Sequence, residues 1–233
     1  MNVHTIAITS HARYLVSAPS HLAPPHPAPS HRLLVGFHGY KENAVMHLDV
    51  LRSIAGSREW TLVSVQAPNR FYDKAVQTVA SWMTREDREL VIADNIAYVA
   101  AVVADVRVHY GVAGPLVYAG FSQGVAMAYR AAAFAGHACD GLIVLAGDVP
   151  PDVAPVATTL PAVLIGRGAT DAWYTAEKSA KDIGLLRSAN VTVAEHVFDG
   201  GHVWDPSFVA RAGSFLDQLE SSVDGKRPAP TGP

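Results

Sequence analysis

Three nearly continuous apolar runs, LLVGF at 33–37, LIVLA at 142–146 and AVLIG at 162–166, constrain the fold more than any other feature of this sequence. A strand with one face in water alternates apolar and polar residues. A run without alternation needs cover on both faces, as central strands of a parallel sheet have. The segments between these runs carry helical patterns. Candidate strands fall at Val3–Ile8, Arg13–Val16, Arg32–Phe37, Thr61–Val65, Leu116–Phe121, Gly141–Leu145, Ala162–Ile165 and Val191–Phe198. Candidate helices fall at Ala44–Ser57, Arg85–Tyr110, Gln123–Ala135, Thr175–Ala189 and Pro206–Ser222. The two short N-terminal strands follow each other closely, which suggests an antiparallel start. The later alternation of strand and helix implies right-handed crossovers and an α/β fold with a mostly parallel sheet of about eight strands, helices on both faces. Ligands of such sheets bind beyond the carboxyl ends of the strands. Every loop that follows a strand is therefore a candidate site.

With 233 residues, 49% hydrophobic and 17% charged, the chain can bury one large core. Residues 1–222 read as a single domain and 223–233 as a disordered tail. The stretch from Ser17 to His31, rich in Pro, Ser and His, reads as a surface loop between strands. A net charge of −3 gives no reason to expect nucleic acid or an anionic membrane as partner. The N-terminus lacks a basic region followed by an apolar one, and no uninterrupted apolar run reaches the ~20 residues of a membrane-spanning helix. Cys139 stands alone, excluding a disulfide framework and a cysteine-based metal site. These features lead to the expectation of a cytoplasmic protein in a reducing compartment.

The strand ending at Phe121 runs directly into the helix starting at Gln123, which leaves Ser122 on a sharp strand-to-helix turn, within Gly120-Phe-Ser-Gln-Gly124. Such a turn lifts the serine oxygen above the sheet, under backbone strain, with the amides of a helix N-terminus beside it. The plainer reading is a serine that caps the helix. A nucleophilic serine needs a base, usually histidine. Of eleven histidines, His202 alone sits in a glycine-bent loop just after the last candidate strand. His21, His26 and His31 fall in or beside the proline-rich loop, His109 and His137 near helix ends, and His38 suits a structural, hydrogen-bonded role. The base in turn needs an orienting carboxylate. Asp171 follows the strand next to the one bearing His202; Asp148, one strand further away, competes with it. The preferred order is Ser122, Asp171, His202. Developing negative charge on a substrate carbonyl would be held by the backbone amides of Gln123 and, in the turn after Phe37, of Tyr40. Phe71, Tyr72, Trp82, Phe121, Trp173 and Trp204 are candidates for aromatic walls of a substrate site, with ordinary core packing as the alternative for each. Only 15 residues, Ala146 to Leu160, separate two of the strands, too few for a large helical lid.

Together FHGYKENA, GFSQGVAMAYRAA, GRGATDAWY and FDGGHVW, spanning Phe37 to Trp204, resemble the phospholipase/carboxylesterase branch of the α/β-hydrolase fold, which includes acyl-protein thioesterases. The resemblance implies a Ser122–His202–Asp171 triad, Tyr40 and Gln123 as oxyanion donors, and Trp82 at the acyl site. The triad reading gives hydrolysis of carboxylic esters through an acyl-enzyme with no metal or organic cofactor required, and the lack of room for a lid favours small or short-acyl esters. The expected partner is a small-molecule ester, with a homodimer left open. Thioesters and lysophospholipids could serve the same machinery, and a catalytically inactive binding module is the alternative from another class. The sequence departs from the family where Lys41 stands in place of the second glycine of His-Gly-x-Gly, and where Tyr174 replaces an apolar residue after the acid.

Overall fold

A computed structural model describes residues 2–19 and 32–224. The proline-rich residues 20–31, with His21, His26 and His31, and the tail from 225 onward lie outside the described residues.

Among the described residues, nine strands and five α-helices follow in chain order: β1 (Tyr14–Ser17), β2 (Arg32–Phe37), α1 (Ala44–Ala55), β3 (Trp60–Val65), β4 (Asn69–Tyr72), β5 (Thr78–Ser81), α2 (Arg88–Tyr110), β6 (Leu116–Phe121), α3 (Gln123–Phe134), β7 (Gly141–Leu145), β8 (Ala162–Gly168), α4 (Ala176–Ser188), β9 (Val193–Phe198) and α5 (Pro206–Asp224). Seven of the strands form the main sheet, in the order β1-β3-β2-β6-β7-β8-β9, with β4 and β5 as a separate hairpin. Only β1 runs antiparallel in the main sheet. Strands β3, β6 and β7 are buried at every residue, as the unbroken apolar runs of β6 and β7 require.

The crossovers decide which helix covers which face. From β2 the chain moves through α1 to β3 in one direction along the sheet; from β6 it moves through α3 to β7 in the other. Both connections being right-handed, α1 and α3 must lie on opposite faces. Accordingly α1 packs with α5, and α3 with α2. The direction of travel reverses between β2 and β6, so the crevice outside their carboxyl ends is where a ligand of such a sheet sits.

The expected strand Val3–Ile8 does not form, and the main sheet has seven strands rather than eight. Residues 2–13 form no helix or strand and are exposed, with Val3, Ile6 and Ile8 each at least 80% exposed. A strand there would need a partner beyond β1, and β1 offers only four residues on the sheet edge. Nothing in the sequence marks the hairpin β4–β5: β4, NRFY, is short and mostly exposed, without the apolar alternation of a half-buried strand. No helix among the described residues is long and apolar enough to cross a membrane.

Candidate active site

Ser122 sits at the junction of β6 and α3 with φ 52° and ψ −116°, a backbone conformation that an L-residue adopts only under strain. Its amide donates to the Leu145 carbonyl (2.9 Å) and its carbonyl accepts from the Val125 amide (3.0 Å), so both sides of the turn are pinned. The turn is this sharp because two glycines let backbones touch. A Cβ at Gly124 would lie 2.0 Å from the Phe37 carbonyl oxygen, and one at Gly120 would lie 2.5 Å from the Gly124 carbonyl oxygen. Ser122 makes no side-chain capping bond to α3. Its hydroxyl is instead hydrogen-bonded to His202 Nε2 at 2.7 Å.

His202 lies in the loop between β9 and α5, and its Nδ1 stands 2.8 Å from Asp171 Oδ2. Asp171 follows β8; its side chain is fully buried. Its other oxygen, Oδ1, accepts from the Trp173 amide (2.8 Å) and the Tyr174 amide (3.0 Å). Burial alone would raise the Asp171 carboxyl, but those two amides and His202 outweigh it and hold it below the usual carboxylate range. The two loops are tied by Ala169 N to Phe198 O (2.8 Å) and Thr170 N to Gly200 O (2.9 Å), which sets Asp171 against His202. Asp148, the competing acid, is exposed and sits 3.7 Å from Lys178 Nζ. Among the described residues, no hydrogen bond or ion pair joins it to His202.

The turn after β2 faces the serine. Gly39 N donates to Glu42 Oε2 (2.7 Å), Glu42 N to Gly39 O (3.3 Å), and Lys41 N to Ala80 O (3.1 Å). Lys41, where the related motif has glycine, takes φ 64°, so the left-handed bend is kept at the cost of a side chain in it. The Tyr40 amide has no protein acceptor among the described residues, and the Gln123 amide, first in α3, has no helical carbonyl before it. His38 is buried and neutral. Its Nδ1–H donates to Gly39 O (2.7 Å), Nε2 accepts from Ala67 N (3.0 Å), and burial pushes its pKa down to about 4.

The Gln123 side chain holds a part that the sequence reading did not assign. Its Oε1 accepts from the Trp82 amide (2.8 Å) and its Nε2 donates to Met83 O (3.0 Å), clamping the end of β5 onto the serine turn.

A cleft of about 580 Å³ opens at Ser122 and His202. Of the six aromatics expected around a substrate, it brings only Trp173 into this wall, 76% exposed, joined by the Tyr40 ring. Trp82 is buried completely: it packs edge-on against Phe37 and donates from Nε1 to His38 O (2.9 Å). Its indole N–H finds that carbonyl only by turning inward, away from the cleft. Phe121 packs on the His202 ring, Trp204 on Phe121 and Phe208, and Phe71 on Tyr40. Tyr72 is exposed on the hairpin, outside the cleft wall. The wall is completed by Met83, Ala126, Arg130, Val149 and Pro150, none of which the sequence reading singled out. Ala126 and Arg130 follow Ser122 at i+4 and i+8, a helical spacing legible in the sequence. The connection after β7 supplies Val149 and Pro150, and then only a short 3₁₀ turn at Ala154–Thr159. No group of three or more His, Cys, Asp or Glu able to hold a metal ion occurs among the described residues.

No family model matches the sequence, and no curated protein matches it either. Solved structures do. A carboxylesterase from Bacillus cereus superposes with a TM-score of 0.70 at 18% identity, over 89% of this chain and 94% of its own. The esterase PE8 gives 0.69 at 21% identity, over 90% and 100%, and acyl-protein thioesterase 2 of Zea mays gives 0.65 at 17%, over 90% and 99%. At such identities the likeness is one of architecture, and it spans nearly the whole of each chain: this protein has the α/β-hydrolase fold.

Proposed function

We propose that the protein is a serine hydrolase of carboxylic esters, of the phospholipase/carboxylesterase kind. The observation that carries this is the unbroken relay from Ser122 Oγ to His202 Nε2 (2.7 Å) and from His202 Nδ1 to Asp171 Oδ2 (2.8 Å). Both lengths are those of made hydrogen bonds, so no rearrangement is needed before proton transfer.

Ser122 Oγ attacks the substrate carbonyl while its proton passes to His202 Nε2. Asp171, an acceptor at both oxygens, keeps the His202 proton on Nδ1 and stabilises the imidazolium. The negative charge of the tetrahedral intermediate falls to the Gln123 and Tyr40 amides, where one donor is worth about 3 kcal/mol of barrier. The intermediate collapses as His202 protonates the leaving alcohol, leaving an acyl-enzyme. Water, deprotonated by the same nitrogen, then releases the acid and restores Ser122. A thioester would follow the same steps, a reading favoured by the likeness to the maize acyl-protein thioesterase. Small or short-acyl substrates suit a cleft bounded by loops after β7 and β8.

The test is Ser122→Ala. The variant is expected to keep its melting temperature, lose reaction with a fluorophosphonate probe, and lose nitrophenyl acetate hydrolysis by at least roughly 10⁴-fold. Substantial turnover by the purified variant would overturn the assignment.

A further inference from the structure

Arg130 is the one charged residue of α3, and its side chain is 1% exposed. It lines the cleft on the same helix face as Ser122 and Ala126. Two of its nitrogens, Nε and Nη2, hold both oxygens of Asp152 at 2.8 Å. The third, Nη1, is buried without a hydrogen-bond partner. Leaving buried guanidinium donors unmade costs roughly 1–3 kcal/mol, and a fork aimed only at Asp152 would not require Arg130 to border the cleft. Ala126, between Ser122 and Arg130, is small enough to leave the path along the helix open.

Arg88, at the start of α2, lines the same cleft and is exposed. Its charge acts on Asp152, whose carboxyl is held below its usual range first by the Arg130 hydrogen bonds, against burial, and then by both charges. Lys178, the third cation of the wall, is already engaged: it donates to Trp173 O (2.7 Å) and faces Asp148 at 3.7 Å. Arg130 is thus charge-paired with Asp152, whereas Arg88 makes no hydrogen bond or ion pair among the described residues. Arg88 is therefore the cation of this wall left to face a ligand, in a protein whose net charge is −3. A monoanion balances it; a phosphate dianion overshoots.

We propose that the cleft selects esters whose acyl chain ends in a carboxylate, with Arg130 Nη1 and Arg88 binding that carboxylate while Ser122 attacks the ester at the other end. The proposal rests on Ser122 being the nucleophile. Eight residues of α3 separate Ser122 from Arg130, about 12 Å of helix, and the arginine side chain leans back toward the helix N-terminus. A dicarboxylic acyl chain of intermediate length spans that gap, whereas an acetyl group does not.

Two measurements test it. Nitrophenyl half-esters of dicarboxylic acids, succinyl through suberyl, are compared with neutral acyl esters of the same length in the wild-type protein, in Arg88→Gln, and in the charge-paired Arg130→Gln/Asp152→Asn. The expected result is a kcat/KM favouring the half-ester by roughly ten- to a hundredfold at the best length, a preference that shrinks with added salt and falls toward unity in either variant. Separately, glutarate, adipate and pimelate are titrated against the same proteins while following the fluorescence of exposed Trp173. Saturable binding should appear in the wild type and weaken by about tenfold or more in the variants. Neutral esters turned over without preference for half-esters would overturn the proposal while leaving the hydrolase reading intact. So would a preference that both variants retain, or a stronger preference for an ω-phosphonate. If no ester of either kind is turned over, the hydrolase reading fails, and the titration still decides whether the carboxylate site exists. Should the double variant not fold, Arg88→Gln alone settles the matter.

Discussion

Replacing Asp171 by Asn removes one charge and keeps every heavy-atom position, yet the surroundings leave the new amide a single orientation. Oδ1 faces two backbone donors, the Trp173 and Tyr174 amides at 2.8 and 3.0 Å. The Asn oxygen must stay there, because turning the NH₂ toward two N–H groups would lose both bonds at roughly 1 kcal/mol each and set donor against donor. The NH₂ is thereby fixed toward His202 Nδ1, 2.8 Å away in the native protein. A donor at that position demands that Nδ1 accept, which places the imidazole proton on Nε2, pointing at Ser122 Oγ. The histidine then donates to Ser122 Oγ and cannot take up its proton, the role proposed for it. A triad locked in the wrong tautomer loses about 10⁴ in kcat, or about 5.5 kcal/mol of transition-state stabilisation. Folding is affected far less, since two of the three hydrogen bonds survive, and the melting temperature should move by only a few degrees. Nitrophenyl acetate turnover and the rate of fluorophosphonate labelling should fall together. The same exchange at Asp148, which pairs only with Lys178, should cost less than one decade. An Asp171→Asn protein within tenfold of wild type, or an equal loss from Asp148→Asn, would refute the reasoning.

Gly124→Ala should be among the most damaging one-carbon changes in the chain, because its Cβ would meet the Phe37 backbone at 2.0 Å and neither partner is a flexible side chain. A loss above ~3 kcal/mol, or failure to fold, is expected in thermal melts. Gly136→Ala, where φ is +73° with nothing within 4 Å, should cost only about 1–2 kcal/mol of backbone strain, and equal effects at the two sites would contradict the steric argument. Stability should also fall on mild acidification. His38 has its pKa lowered from 6.5 to about 4, so between those values the unfolded chain binds a proton that the folded one refuses. The contribution is intact above pH 6.5 and shrinks as pH falls toward 4, by ~3 kcal/mol in total. His47, buried with neither ring nitrogen hydrogen-bonded and its pKa lowered to about 3, adds in the same direction. Denaturant titrations from pH 7.5 to 4.5 that give a constant unfolding free energy would rule this out.

The central strands were legible because burial on both faces leaves no room for polar alternation, and β2, β6 and β7 fall on the residues expected from their apolar runs. The meeting of Ser122, Asp171 and His202 was legible for a topological reason. Strand-end loops of one sheet gather at one edge, so a nucleophile motif and two loop residues can be matched by order alone. What failed was anything depending on an edge or on a side chain's direction. Val3–Ile8 has strand-forming residues but no partner to pair with. Six aromatics near the motifs looked like candidate walls, and the structure turns all but Trp173 away from the cleft, because aromatic type reports area to bury and not where it is buried. Arg130 shows the converse: one cation in a helix of Ala, Val and Met was visible in the sequence, but its Asp152 partner lies across the cleft-side loop.

Trp82 sharpens the account of the site. Its amide donates to the Gln123 side chain, its indole N–H to the His38 carbonyl, and His38 in turn holds Gly39. A hydrogen-bonded chain therefore runs from the residue after Ser122 to the residue before Tyr40, the two places from which oxyanion donors are proposed to come. At the same junction the Gly124 backbone touches Phe37, fixing the start of α3 against the end of β2. The strained Ser122 backbone, worth about 1–3 kcal/mol, persists only where neighbours over-determine it. Here the groups that hold the strain are the groups that set the spacing between the two amides. Loss of the Gln123 amide group would thus loosen both proposed donors at once, because that group also holds the Trp82 amide and the Met83 carbonyl. That is why a glutamine, and not merely any residue with a backbone N–H, suits the position after the serine.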